Sequence, residues 1–372
     1  MKRKILFIIT HLELGGAQKQ LFTLIKNLDI NRYAFYLLSG DYGLLKENFL
    51  NIPYLKVYLI KELKREINIF YDLIAFFKIF FYIKKYKFDI IHTHSPKASF
   101  LGRWAAFFCG CKDIVYTVHG WPFHKFMPLV TYYFYLFLEK ITSKITKKII
   151  VVSNYDLREG IRKIAPKGKF VLIHYGIDTT PLEEIYEKRK ERIQKDNLII
   201  TVSALKPQKG LDYFLNMAKD VLNEFPYIKF WIIGDGPLKK KIKRKIKRMY
   251  LENSVFLKGW VKDLSEAYQE ATLFVLTSLW EGLPLAVIEA VICGIPILAS
   301  NTGGLLDIVK EEKQGKIVDL KELPHFGRKC RKMLQNYTQW NKIVKSERKK
   351  IDVKYWGERR MLEEINKLYA EF

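Results

Sequence analysis

The sequence predicts an α/β protein made of two parallel-sheet domains, and three observations carry that expectation. Short β-prone runs alternate with helix-patterned stretches in two successive series, one ending near Gly176 and the other starting at Asn197. Glycines mark the strand-to-helix turns of both series, at Gly15-Gly16, Gly210, Gly234 and Gly282. With 372 residues, 49% hydrophobic and 15% aromatic, the chain can bury a core in each of two ordinary domains. That composition excludes a disordered chain.

In order, residues 4–10 (KILFIIT) read as a buried parallel strand and residues 17–28 as an amphipathic helix. The turn between them spells Gly15-Gly16-Ala17-Gln18, which is not the GxGxxG dinucleotide fingerprint. Its two glycines still let a ligand approach the backbone closely, a tight turn without a ligand being the alternative. Residues 33–38 and 57–60 are strands, residues 70–86 a long apolar helix, and residues 88–93 another strand. His92 and His94 alternate on that strand and so share a face, but no third ligand stands at a metal-binding spacing. Residues 115–118 form a strand that ends at His119-Gly120-Trp121, where open sheets bind ligands. Strands at 149–153 and 171–176 close the first series.

Residues 179–196 are charged and lack a core stripe, and they read as the connection between domains 1–178 and 197–354. The second series runs through strand 197–202, loop ALKPQKG (204–210), helix 212–225, strand 229–233 and Gly234-Asp-Gly-Pro237. A very basic helix, a strand at 255–257 and a strand at 273–276 follow. Next comes WEGLPLAVIEA (280–290), read as loop and helix start, with Pro284 suited to the first turn. The unpaired N–H groups of that helix start can seat a phosphate. Glu281 before the helix and Glu289 within it are too far apart to form a touching acid/base pair. One can face what the helix tip holds, and the other a group along the helix flank. A hydroxyl-rich ligand with a central diphosphate uses all of these features.

The net charge of +25 implies an acidic partner: nucleic acid, anionic lipid or a phosphorylated substrate. The run KKKIKRKIKR (239–248) reads as a solvated helix face anchored by Ile242 and Ile246, and no nucleic-acid-binding module accompanies it. Phe126, Tyr132, Tyr133, Phe134, Tyr135 and Phe137, followed by Lys140, Lys144, Lys147 and Lys148, suit an anionic membrane surface, with first-domain core as the other reading. Four cysteines without a CxxC pair fit reduced thiols in a cytoplasmic protein. The apolar run at 5–9 is too short for a signal peptide, and no window is long enough to span a bilayer.

Several of these stretches share a resemblance. EGLPLAVIEA resembles the donor-site signature of the retaining glycosyltransferases of family 4, which have the GT-B fold: two Rossmann-like domains facing each other across a cleft. ASNTGGLLDIV (299–309) resembles the Gly-Gly segment that follows it, with Asp307 where Glu is usual. GGAQ, IHTHSPKASFLGRWAA (91–106) and TVHGW match further segments in the family's order. The resemblance implies transfer of a sugar, uridine-linked by family weight, from a nucleotide diphosphate to a glycan or lipid-linked acceptor in cell-surface polysaccharide or lipopolysaccharide assembly. It implies His119 and Glu281 as the catalytic groups. Gly15, Gly16, Lys206, Lys209, Gly282, Leu283, Pro284, Leu285 and Glu289 would bind the donor. It implies helix 355–372 packed back on the first domain. No cofactor beyond the nucleotide sugar and no metal is expected, since the chain has no DxD. The expected location is cytoplasmic, peripheral on the inner face of the cell membrane.

Two departures matter. The family's phosphate-gripping Arg falls on Ala204, with Lys206 as the substitute, and the family's Asn-Gly-Ile-Asp is here Tyr175-Gly176-Ile177-Asp178. A nucleotide-sugar epimerase of the same architecture, and a glycan- or lipid-binding protein without turnover, are the competing readings.

Overall fold

The computed structural model describes residues 2–190 and 197–372. Two compact units result, one of residues 1–177 with 358–372 and the other of residues 178–357.

The first unit is a seven-stranded sheet of β1 (Arg3–Ile9), β2 (Tyr33–Ser39), β3 (Leu55–Leu59), β4 (Ile90–His94), β5 (Ile114–Val118), β6 (Lys148–Val151) and β7 (Phe170–Leu172). All neighbours are parallel and the order is β3-β2-β1-β4-β5-β6-β7. Its helices are α1 (Gly16–Asn27), α2 (Lys46–Leu50), α3 (Ile69–Tyr86), α4 (Pro96–Phe108), α5 (Leu129–Ser143) and α6 (Asn154–Lys163). The central strands are apolar on both sides because both faces are covered. Ile5, Phe7 and Ile9 pack on α1 residues such as Leu21 and Leu24, and Leu6 and Ile8 pack toward α3 and α4. Asn68 caps α3 by accepting from the Tyr71 N–H at 3.0 Å, and Lys84 and Lys85 complement the dipole at its other end.

The second unit is a six-stranded parallel sheet of β8 (Leu198–Val202), β9 (Lys229–Ile233), β10 (Val255–Gly259), β11 (Ala271–Leu276), β12 (Ile297–Ser300) and β13 (Gly315–Val318), in the order β10-β9-β8-β11-β12-β13. Its helices are α7 (Thr180–Lys190), α8 (Leu211–Leu222), α9 (Lys239–Arg248), α10 (Ser265–Glu270), α11 (Leu285–Ile292), α12 (Leu305–Ile308), α13 (Phe326–Gln335) and α14 (Tyr337–Arg348). In the basic run, α9 buries Ile242 and Ile246 and leaves most of its cations in solvent. After a 3₁₀ turn, the last helix, α15 (Glu358–Ala370), packs Met361, Ile365, Leu368 and Tyr369 into the first unit's core.

Three expectations need correction. The stretch read as a linker, 179–196, contains α7, which belongs to the second unit; residues 191–196 lie outside the described residues. α7 does have a buried stripe, formed by Leu182, Ile185, Tyr186 and Arg189. Surrounding charge masked its three apolar members, and its fourth, Arg189, is buried through hydrogen bonds to the Tyr268 and Gln269 carbonyls, both at 2.7 Å. The strand expected over 171–176 is only Phe170–Leu172, and Pro284 is the N-cap of α11, one residue ahead of its first turn. The aromatic segment before Lys140, for which the sequence allows both core and surface, divides between them: Phe123, Tyr132 and Tyr135 pack in the first unit's core while Phe126, Tyr133, Phe134 and Phe137 are exposed.

Candidate functional site

In each sheet the strand order reverses once, between β1 and β4 in the first unit and between β8 and β11 in the second. Loops leaving two such strands diverge over opposite faces and open a crevice at their carboxyl ends, where open α/β sheets take ligands. The loops after β1, β8 and β11 carry Gly15, Lys206, Lys209, Glu281 and Gly282; Gly16 opens α1, Glu289 lies within α11, and His119 follows β5, the neighbour of β4.

In the second unit, loop 203–210 leaves β8 and loop 277–284 leaves β11, and the two are sewn together. The Leu279 N–H donates to the Gln208 carbonyl at 2.7 Å, Thr277 Oγ1 to the Lys209 carbonyl at 3.0 Å, and Gln208 Nε2 to the Trp280 carbonyl at 2.8 Å. Gly210 is in the left-handed region, φ +56°, and a Cβ there would lie 2.2 Å from the Thr277 carbonyl oxygen. Only glycine allows the loops to come this close.

That approach brings Lys209 Nζ to 2.5 Å from Glu281 Oε1. Ser278 Oγ donates to the same oxygen at 2.6 Å, and Gln208 Nε2 lies 3.4 Å from Oε2. The carboxylate side chain is 7% exposed and the ammonium side chain 17%. Two donors occupy Oε1, whereas Oε2 has capacity for another. The ammonium carries three N–H groups, of which Glu281 uses one.

A third segment braces this pair. The Gly304 N–H donates to the Gly282 carbonyl at 2.7 Å, and a Cβ on Gly303 (φ +53°) would stand 2.0 Å from the Glu281 carbonyl oxygen. Leu283 is buried beside it, so Gly282, Leu283 and Pro284 form a fixed approach to α11. The first intrahelical bonds come from the Val287 and Ile288 N–H groups to the Pro284 carbonyl. The amides of Leu285 and Ala286 precede them and have no partner inside the helix. Lys206 stands in the same turn as Lys209, half-buried, with its carbonyl accepting the Lys209 N–H at 3.0 Å.

Glu289 lies one turn into α11 and is held by a residue that the sequence did not single out. The Tyr268 hydroxyl donates to Glu289 Oε2 at 2.5 Å. Burial, and then the Glu289 charge, hold the Tyr268 pKa well above the usual phenol range, so the hydroxyl remains a donor. Burial likewise pushes the nearby Cys293 thiol up to about 12. Tyr268 lacked a sequence signal because it is 21 residues from its partner.

In the first unit, Gly15 caps α1 and Gly16 is its first residue; Gln18 closes that loop by donating to the His11 carbonyl at 3.2 Å. Ser95, which follows β4, has φ 61°, a conformation that L-residues rarely adopt. Its Oγ accepts the Thr10 N–H at 3.0 Å, tying the ends of β1 and β4. His119 is held at both ring nitrogens: Nδ1 lies 2.6 Å from the Tyr175 hydroxyl, and Nε2 lies 3.0 Å from His94 Nδ1. Tyr175 therefore orients His119. Burial lowers the His119 pKa to about 3, and burial followed by the charges of His92 and His119 lowers that of His94. Both imidazoles are neutral near pH 7. His92 bonds instead to the Tyr369 hydroxyl and to Thr117 Oγ1, each at 2.6 Å, and is a core histidine.

Comparison with known proteins gives the chain's family and fold. The family description "Glycosyltransferase Family 4" matches residues 14–181, and "Glycosyl transferases group 1" matches residues 183–350. The chain is similar to the Escherichia coli UDP-Gal:alpha-D-GlcNAc-diphosphoundecaprenol alpha-1,3-galactosyltransferase. The two are 32% identical over 336 residues, 85% of this chain and 87% of that protein. It is also similar to the capsular polysaccharide biosynthesis glycosyltransferase CapM of Staphylococcus aureus, at 25% identity over 93% of this chain and 91% of that one. Among solved structures, Anabaena HepE in complex with UDP and glucose superposes with a TM-score of 0.80 at 19% identity over the whole of both chains, a likeness of fold.

Proposed function

The chain belongs to family 4 of the glycosyltransferases, and from that premise we propose that it is a retaining enzyme of cell-surface polysaccharide assembly. It would move a hexosyl or N-acetylhexosaminyl group from a UDP-sugar to a glycan acceptor carried on a lipid diphosphate. The Escherichia coli relative, named for a UDP-galactose donor and a diphosphoundecaprenol acceptor, and CapM, named for capsule synthesis, support this reading.

The observation that carries it is the Lys209–Glu281 pair at the β8/β11 reversal, beside the amino end of α11. Cleaving the bond between the anomeric carbon and the diphosphate leaves negative charge on the departing oxygen, and stabilising that charge is the main catalytic task. The spare N–H groups of Lys209, the ammonium of Lys206 and the Leu285 and Ala286 amides are the groups proposed to do it. Lys206 takes the place of the cation missing at Ala204. Glu281 Oε2 accepts a hydroxyl of the transferred sugar, and Glu289, oriented by Tyr268, accepts the ribose hydroxyls. In the first unit, Gly15 and Gly16 permit close approach of the donor. His119, neutral and oriented at Nδ1 by Tyr175, exchanges its Nε2 contact with His94 for a sugar hydroxyl when the donor binds, without adding charge. With protein groups meeting the diphosphate, turnover should be unaffected by EDTA. Retention by same-face attack requires no covalent nucleophile, and none is assigned.

Incubating the purified protein with a panel of nucleotide sugars, with and without a GlcNAc-diphosphate-lipid acceptor, tests the proposal. Acceptor-dependent release of UDP, with an α-linked product by NMR, is the expected result. A changed sugar without UDP release indicates an epimerase, and no reaction indicates a binding protein; either outcome refutes transfer.

A further inference from the structure

Two helices of the first unit turn apolar side chains outward. α5 buries Glu139, Thr142 and Ser143 and exposes Leu129, Val130, Tyr133, Phe134 and Phe137. Its inner side, where Tyr132, Tyr135 and Leu136 pack on the core, is locked in place by polar contacts: Arg103 donates to Glu139 Oε2 at 2.8 Å with both side chains almost fully buried, and Trp104 Nε1 donates to Thr142 Oγ1 at 3.1 Å. α5 cannot roll Tyr133, Phe134 and Phe137 inward without breaking that buried ion pair. On α3, Ile69, Leu73, Phe77 and Phe81 are all exposed, while Ala75, Ile79 and Ile83 face the core. Their four-residue spacing sets them in one row along the helix. α4 packs against both helices and ends in exposed Phe107 and Phe108, the Phe108 ring lying 6.3 Å from that of Phe76 on α3. Nothing among the described residues covers these side chains.

Single exposed apolar residues are ordinary, but contiguous rows mark an interaction surface. Charge indicates its occupant. α3, α4 and α5 contain two acidic residues, Asp72 and Glu139, and each is paired, with Lys97 at 2.6 Å and Arg103 at 2.8 Å. Exposed Lys84, Lys85 and Lys87 close α3, Lys64 and Arg65 precede it, and Lys140 lies on the outer side of α5. Two copies face to face would oppose like charges, whereas anionic headgroups complement these cations and let their stems lie along the rings. No helix among the described residues is long and apolar enough to cross a membrane. We propose that the outer side of α3 and α5, with the carboxyl end of α4, seats the first unit on an anionic bilayer, the rings entering the headgroup–acyl boundary. The proposal stands whichever sugar the chain moves.

Flotation of the full chain with phosphatidylcholine vesicles, with and without phosphatidylglycerol, tests it. Binding to the anionic vesicles should weaken at raised salt and fall about a hundredfold in Lys84→Gln/Lys85→Gln/Lys87→Gln. It should be lost in Leu73→Ser/Phe77→Ser/Phe81→Ser. These positions are exposed, so the fold should persist by circular dichroism. Should that triple variant unfold, Phe77→Trp decides: brominated lipid must quench its fluorescence beyond the parent's. Absence of binding to anionic vesicles, equal binding by parent and serine variant, or a solution dimer that ignores vesicles would each overturn the proposal.

Discussion

Lys209 and Glu281 are proposed to serve both the loop packing and the chemistry, and a double-mutant cycle separates the two roles. Lys209→Met leaves a carboxylate only 7% exposed, still hydrogen-bonded by Ser278 and Gln208. Losing one charged partner of a largely buried group costs about 1–3 kcal/mol, less than the ~3–5 kcal/mol for a pair fully removed from water. Glu281→Gln leaves the ammonium with 17% of its side chain exposed, so water replaces part of the loss, and about 1 kcal/mol is expected. Changing both removes charge on each side and should recover ~1–2 kcal/mol as coupling between contacting residues. Urea midpoints read this, as do melting shifts of about 2–4 °C per kcal/mol for a domain of this size. Catalysis should not recover. Lys209→Met forfeits charge stabilisation at the leaving oxygen, about 10²–10³ in kcat, and the double variant should be no better. Turnover of Lys209→Met within a few-fold of the parent, or a coupling of zero, would refute the reasoning.

Three more expectations follow from the geometry. Tyr268→Phe removes the hydrogen bond that orients Glu289, worth about 1.5–3 kcal/mol to a charged acceptor; the donor KM should rise about tenfold or more with little change in kcat, as steady-state kinetics would show. His92 and His119 have folded pKa values of about 3, below their unfolded value, so the unfolded chain binds more protons under pH ~6.5. Stability should therefore be full above that pH and fall on acidification toward pH 3, by about 2 kcal/mol per histidine at pH 5; equal urea midpoints at pH 5 and 7.5 would contradict this. Glu139→Leu alone should destabilise by about 3–5 kcal/mol by stranding the Arg103 guanidinium, and Arg103→Met/Glu139→Leu should regain most of it in the same denaturation assay.

The alternation of strands and helices could be read from residues such as Ile5–Ile9 and Leu273–Leu276 because strands buried on both faces are uniformly apolar. The turns that carry Lys209 and Glu281, and the start of the helix that carries Glu289, were legible because glycine and proline mark them. Tyr268 and His94 were not, since a phenol or an imidazole acquires a role only through a partner far along the chain. The linker reading of 179–196 failed because the short apolar stripe Leu182, Ile185 and Tyr186 sits among many charged residues, and its fourth member, Arg189, is buried only through hydrogen bonds to carbonyls of another helix.

By itself the sequence determined two parallel sheets, their turns and the chemical types gathered at the carboxyl ends of the strands, because local pattern and turn chemistry act over a few residues. Tertiary structure decided which of those groups touch. The close approach at Gly210 and Gly303 pairs Lys209 with Glu281, Tyr175 turns His119, and the buried Arg103–Glu139 pair faces Tyr133, Phe134 and Phe137 of α5 outward. Each of these depends on the approach of chain segments remote in sequence, and a linear pattern carries no record of that distance.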